Sequence, residues 1–389
     1  MEELPKENNA MINEISTWEE LDMKTELLRG VYANGFEKPS QIQKKAIRPI
    51  FDKKDVIAQA QSGTGKTACF VIGTLQIIDI SIKRVQAILL SPTRELAIQT
   101  KDVLDKLGNV FKDFKTRLLV GGNPVEDDVR AIRENAPHVL VGCPGRVYDM
   151  LHRRTINPST IRILIMDEAD EMLSSGFKDQ IYDIFRFMPN SIQVGLFSAT
   201  LPDEMKFITQ KFMRTPVEIF IKPEQLTLDG IKQYNILVEN DDQKYDTLKD
   251  LYESLNVSQS IIFCNTYKRV STLYDALTQD GFPACQIHSN MDKFERTKNY
   301  HDFKNGVHRI LISSDVTARG IDVQQVGTVI NFDVPSSPST YLHRIGRSGR
   351  WGRKGVGITL VTQRDMISLK NIETFYSIKL NELPLNWAE

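Results

Sequence analysis

Short runs of consecutive apolar residues recur along this chain, and between them apolar positions fall three and four residues apart. The first pattern suits strands buried on both faces, the second amphipathic helices. The clearest run is Ile163 to Met166, followed at once by Asp167, Glu168, Asp170 and Glu171. The same reading predicts strands over Asp55–Ala60, Val85–Ser91, Thr116–Val120, His138–Val141, Gln193–Phe197 and Val217–Ile221. It predicts helices near Leu21–Ala33 and over Lys178–Met188, where Ile181, Ile184, Phe185 and Met188 form a core-facing stripe. Lys222–Gly230 interrupts the alternation with the proline, glycine and polar content of a linker. Strands over Lys232–Val238, Ser260–Phe263 and Ala284–Ile287 then alternate with helices Gln243–Leu255 and Lys268–Gln279. The chain therefore reads as α/β: two tandem parallel-sheet domains, 17–221 and 231–389, joined by the short linker 222–230.

Composition narrows what these domains can hold. The 389 residues are 41% hydrophobic, enough for two cores, and the net charge is −1, so any nucleic acid must be gripped by a local basic patch. The four cysteines, Cys69, Cys143, Cys264 and Cys285, lack zinc-like or disulfide-framework spacing, and two are expected inside strands. They read as reduced packing residues of an intracellular protein. The first residues are acidic and carry no apolar run, so no signal peptide is expected, and no stretch has the length of a membrane span.

Acids leaving the carboxyl end of a parallel strand stand where α/β sheets place their ligands. Alone, Asp167 and Glu168 also fit a loop that caps the next helix. A second motif changes their meaning: Gln61-Ser62-Gly63-Thr64-Gly65-Lys66-Thr67 lies between an expected strand and an expected helix. Glycines there let backbone N–H groups curl around phosphate oxygens, while Lys66 reaches the terminal phosphates and Thr67 ligates Mg²⁺. Ala60 stands where the generic form has its first glycine. With this cradle, Asp167 completes a magnesium site and Glu168 orients the water that attacks the terminal phosphate.

The other strand ends add groups suited to a phosphodiester chain: Pro92-Thr93-Arg94, Gly121-Gly122 and Cys143-Pro144-Gly145-Arg146. Ser198 and Thr200 can bond Asp170, or serve as a helix cap before Pro202. Phe36 offers a plane for a base and Gln43 an amide to read its edge, although an aromatic there also serves as a loop anchor. In the second half, Asp322 follows a tight turn and suits a ribose hydroxyl. His343 to Lys354 carries five fixed positive charges, read either as a solvated loop or as Arg347 and Arg350 aimed at one phosphoryl group.

In order and spacing these motifs resemble the DEAD-box ATP-dependent RNA helicases, from Trp18 to the end of the chain. Within that family Phe36 to Ser40, Asp167 to Leu173, Gly176 to Phe185, Ile321 to Val326 and Glu382 to Trp387 resemble the eukaryotic translation initiation factor 4A group. The resemblance implies two RecA-like domains, RNA-stimulated ATP hydrolysis with Mg²⁺, and local, non-processive unwinding of RNA in translation initiation. An ATP-gated RNA clamp of the splicing or ribosome-assembly type is the alternative. It implies adenine contacts from Phe36 and Gln43, ribose contact from Asp322, arginine fingers at Arg347 and Arg350, and coupling through Asp170, Ser198 and Thr200. Pro92, Thr93, Arg94, Gly122, Pro144, Arg146, Arg296 and Ser314 would lie along the RNA backbone. A cytoplasmic or nuclear monomer, with an initiation-scaffold partner, is expected.

Several departures mark the chain as divergent. Trp18 replaces an isolated phenylalanine, Cys143 replaces a threonine, and Ser289, Asn290 and Lys293 stand where the group has Gly, Asp and Gln. A cation at 293 predicts tighter but more salt-sensitive RNA binding than in relatives. Lys293→Gln is therefore expected to flatten the salt dependence of RNA affinity; equal slopes remove the idea.

Overall fold

The computed structural model describes residues 14–60, 63–174, 176–201, 203–221, 231–254, 259–315, 326–348 and 355–384. The chain divides into two compact units, Met1–Leu226 and Thr227–Glu389.

The first unit is built on a seven-stranded parallel sheet. Its strands are β1 (Val56–Gln59), β2 (Ala87–Leu90), β3 (Thr116–Leu119), β4 (Val139–Gly142), β5 (Ile163–Asp167), β6 (Gln193–Ser198) and β7 (Val217–Phe220). They lie in the order β3-β4-β2-β5-β6-β1-β7. Helices cover both faces, which is why β2, β4, β5 and β6 are apolar almost throughout and buried at every residue. Each buried Ile, Leu or Met contributes about 1.5–3 kcal/mol. One core packs β1 against helices Gln41–Phe51 and Lys66–Ile77; the other packs helix Lys178–Phe187 through Ile181, Ile184 and Phe185.

The second unit repeats the plan with β8 (Ile231–Leu237), β9 (Ser260–Phe263), β10 (Ala284–Ile287), β11 (Ile310–Ser313), β12 (Thr328–Asn331), β13 (Gly355–Val361) and β14 (Asn381–Glu382). Their order is β10-β11-β9-β12-β13-β8-β14, with every pair parallel. No helix among the described residues is long and apolar enough to cross a membrane.

Several expectations need correction. The first α-helix runs Thr25–Ala33, not from Leu21. Lys24 is held extended ahead of it, its ammonium donating to the Leu75 and Ile78 carbonyls and its N–H to Gln76. Strand β5 extends one residue past the apolar run, so that Asp167 is its last residue, paired with Phe197 and buried. Pro144 opens helix Pro144–His152, a position where its missing N–H costs nothing, so the strand end at β4 offers a helix amino terminus. Of the four cysteines, all unpaired, only Cys285 lies within a strand; Cys264 directly follows β9. Lastly, Arg344 does not belong to a solvated basic loop. It lies in helix Pro338–Ile345, fully buried, its guanidinium on Asp315, Asn265 and the Asp333 carbonyl.

Candidate active site

The strand order decides which loops meet. At the carboxyl edge of the first sheet β5, β6 and β1 are neighbours, so the acids, Ser198 and the glycine cradle come together although far apart in sequence. Gly63 and Gly65 both have positive φ, 87° and 96°, and Gly65 caps helix Lys66–Ile77 in the left-handed conformation. A Cβ on Gly65 would stand 2.6 Å from the Gln43 amide nitrogen. Gly65→Ala is therefore expected to weaken ATP binding about tenfold through a strained turn, checked by nucleotide titration. Wild-type affinity would contradict it. Gln61 and Ser62 lie outside the described residues.

Lys66 and Glu168 are both buried, with Nζ 3.6 Å from Oε1, and Nζ has no hydrogen-bond partner among the described residues. A buried ammonium so poorly satisfied is costly unless an anion completes its shell. Glu168 sits at φ 51°, a conformation L residues rarely adopt, and its N–H donates to Asp167 Oδ1 at 3.1 Å. Burial first, then the charge of Glu168, drives the pKa of Asp167 upward against the opposing pull of Lys66. Two adjacent buried carboxylates, a half-buried Thr67 hydroxyl and an under-satisfied ammonium suit a divalent cation and a polyphosphate together.

Asp170 also has its partners here. Thr200 donates to Asp170 Oδ2 through its N–H at 3.2 Å and its hydroxyl at 2.6 Å, and the Asp170 N–H reaches Ser198 Oγ at 3.4 Å. The alternative of Ser198 as a helix cap is excluded by its place inside β6.

Gln43 is buried, with Oε1 accepting from the Ser40 N–H at 2.8 Å and Nε2 donating to the Gly65 carbonyl at 3.1 Å. An amide has two lone pairs and two N–H groups. One of each therefore remains, which is the complement of the N6/N7 edge of adenine. Phe36 is half-buried against the core while its carbonyl accepts from the fully buried Trp18 indole at 2.8 Å. A phenylalanine at 18 could not make that bond. Anchoring and stacking are both compatible with the half-exposed Phe36 ring.

On the other half of the same edge, β3, β4 and β2 are neighbours. Two arginines tie their loops into one surface. Arg94 donates to the Gly121 carbonyl at 3.3 Å, and Arg146 to the Asn123 carbonyl at 2.8 Å and to Asp128. Gly122 has φ 86°, Pro92 is buried, and Thr93 caps helix Arg94–Gly108 by accepting from Leu96. Sequence reasoning missed Asp128, which is fully buried and also bonds Arg117 at 2.8 Å. Its signal was an acid on the core-facing side of a helix otherwise amphipathic.

In the second unit the ends of β10 and β11 adjoin, the Ser314 N–H donating to the Ile287 carbonyl at 3.3 Å. Arg296 lies in the first turn of helix Lys293–Lys304. Arg347 follows helix Pro338–Ile345, its Nε donating to the His343 carbonyl at 3.2 Å. Asp322 and Arg350 lie outside the described residues.

Comparison with known proteins follows the same division. Residues 40–208 match the family model DEAD/DEAH box helicase, and residues 243–352 match the helicase conserved C-terminal domain. The chain is 50% identical over 375 residues to the ATP-dependent RNA helicase eIF4A of Schizosaccharomyces pombe, covering 96% of this chain and 95% of that one. It is 47% identical over 388 residues to the eukaryotic initiation factor 4A-III homolog A of Oryza sativa subsp. japonica, covering 100% and 96%. Among solved structures, S. cerevisiae Dbp5 bound to RNA and ADP BeF3 superposes with a TM-score of 0.88 at 35% identity, covering 96% of each chain. Mss116p bound to ssRNA and AMP-PNP gives 0.87 at 26% identity, over 97% of this chain and 80% of that one. Matched by both models in order, and sharing half its residues with a helicase along nearly its whole length, the chain belongs to the DEAD/DEAH box helicase family.

Proposed function

We propose that this chain is an ATP-dependent RNA helicase that couples RNA-stimulated ATP hydrolysis to local separation of RNA strands. The observation that carries the reading is the buried Lys66–Glu168 pair beside a left-handed glycine turn. That phosphate site shares a sheet edge with three cross-tied loops built to grip a backbone.

Gln43 takes the adenine edge and Phe36 its face. The N–H groups of the cradle and Lys66 hold the phosphates, while Thr67 and Asp167 would hold Mg²⁺, which would supply neutralising charge to the polyphosphate. Glu168 orients the attacking water and takes its proton. Arg347 and Arg350 are assigned to the charge on the transferring phosphoryl group, and Asp322 to the ribose. Asp170, with Ser198 and Thr200, links the acidic strand end to β6. Pro92, Thr93, Arg94, Gly122, Pro144, Arg146, Arg296 and Ser314 hold phosphates and 2′-hydroxyls, so RNA is preferred without base sequence. If ATP tightens RNA binding, RNA must tighten ATP binding by the same factor. Each stacked pair costs about 1.4 kcal/mol by the DNA figure, so only a few open per cycle.

The relative named eukaryotic initiation factor 4A-III homolog A supports a place in translation initiation, and such a role calls for a cytoplasmic or nuclear chain with a scaffold protein as partner. The ATPase rate with and without RNA and with single-stranded DNA tests the reading. Stimulation by RNA alone supports a helicase. Weak stimulation with long-lived ternary complexes favours an ATP-gated clamp, and equal stimulation by DNA favours a DNA translocase.

A further inference from the structure

Among the described residues Phe294 is the most exposed large hydrophobic side chain, at 80%. It is not a frayed residue. Helix Lys293–Lys304 is capped by Asp292, whose carboxylate accepts from the Phe294 N–H at 2.8 Å and the Glu295 N–H at 3.3 Å. The helix is anchored by Phe303, fully buried in the core with β10 and β11. The ring of Phe294 is thus presented to solvent from a capped helix end and adds little to the packing.

Its surroundings are those of a nucleic-acid surface. Helical Cα–Cβ bonds tilt toward the amino terminus, so first-turn side chains fan out around that end. Phe294 and Arg296 share this turn of the helix that follows β10, and the Ser314 N–H, at the end of neighbouring β11, donates to the last carbonyl of β10, at the carboxyl edge of the sheet. The same edge holds His288 and Tyr267. Their rings are 6.0 Å apart, Tyr267 is 40% exposed, and His288 Nε2 lies 3.2 Å from the Ser271 hydroxyl. His288 Nδ1 is buried with no partner among the described residues. Burial lowers the pKa of His288, and the charges of Glu295 and Arg296 are near enough to act on it. Aromatic rings interleaved with cations and open polar atoms are how proteins bind single strands: cations track phosphates and rings stack on bases. One isolated ring is too small for a protein interface, which needs an apolar patch of hundreds of Å². It matches one base.

We propose that Phe294 stacks on an unpaired nucleobase of the RNA whose backbone Arg296 and Ser314 hold; this rests on the RNA reading of those two residues. The chain then adds a base contact to a grip otherwise made to phosphates and sugars. Because a base can stack on Phe294 only after leaving its partner, the ring favours single strands and retains a base once freed.

The test uses the full chain with a non-hydrolysable ATP analogue and a labelled single-stranded RNA, titrated over a range of KCl. Phe294→Ala is expected to weaken binding about 5- to 100-fold with an unchanged salt slope. Arg296→Ala should weaken it with a shallower slope. Phe294→Trp should keep the affinity and show fluorescence quenched by RNA, beyond any change in the wild type with its three tryptophans. Wild-type affinity in Phe294→Ala, or no quenching in Phe294→Trp, overturns the stacking contact. If Arg296→Ala also binds like wild type, the RNA reading of this edge falls as well.

Discussion

Glu168→Gln should leave ATP binding intact while RNA-stimulated turnover falls about 10²- to 10⁴-fold, the range for a lost general base. Glutamine has the same shape and can still accept a hydrogen bond from water, but it cannot take the proton. The local backbone gives no reason for collapse, since the left-handed φ of 51° and the N–H bond to Asp167 belong to the main chain of residue 168. Removing the charge also changes the electrostatics of two neighbours. Glu168 is the second largest cause raising the pKa of Asp167, so the aspartate ionises more readily in the variant. Lys66 loses the carboxylate 3.6 Å away and becomes a stronger phosphate ligand. ATP affinity is therefore expected to match or exceed wild type. Phosphate release at saturating ATP and RNA, with a separate nucleotide titration, measures both. Turnover within threefold of wild type would remove Glu168 from the chemistry.

The second large effect is on stability and comes from a residue with no direct part in catalysis. Arg344 is fully buried in the second unit. It donates to Asp315 through Nε and Nη2, to Asn265 at 2.7 Å and to the Asp333 carbonyl at 2.8 Å, and it lies over the Phe263 ring at 5.4 Å. Arg344→Leu keeps much of the volume but orphans an aspartate, an asparagine and a carbonyl. Breaking a buried ion pair from one side costs about 3–5 kcal/mol. The Asp315 side chain is 40% exposed and can regain water, which places the loss near the lower end, about 3 kcal/mol. At a urea m-value of about 1–3 kcal/mol per molar, the unfolding midpoint of this unit should fall by about 1–3 M. Asp315→Asn, which keeps an acceptor, should lose less than half as much. An unshifted midpoint for Arg344→Leu would show that the network is not what holds these loops. Asp315 adjoins Ser314, so RNA binding should weaken in the same variant even where the unit stays folded.

Much of this protein could be read from the order of its residues. Strand and helix succession, the break into two units, the glycine turn before Lys66 and the acids at the end of β5 are all local patterns. They depend on side-chain periodicity of two or 3.6 and on glycines a few residues apart. What stayed hidden depends on partners far away in the chain. Nothing near Arg146 says that a fully buried Asp128 holds it, and nothing near Arg344 separates it from the basic residues that follow. The pairing of Thr200 with Asp170, the strained backbone of Glu168 and the rise in the pKa of Asp167 appear only once β5 and β6 lie side by side. The reason is physical. A helix or strand registers its own repeat within one or two turns, whereas burial, desolvation and ion pairing are set by whichever atoms the sheet order brings within a few ångströms. Sequence alone determined the elements and the chemistry they carry; the tertiary structure decided which charges face one another, which arginines are already committed, and which ring, that of Phe294, is left waiting at the surface.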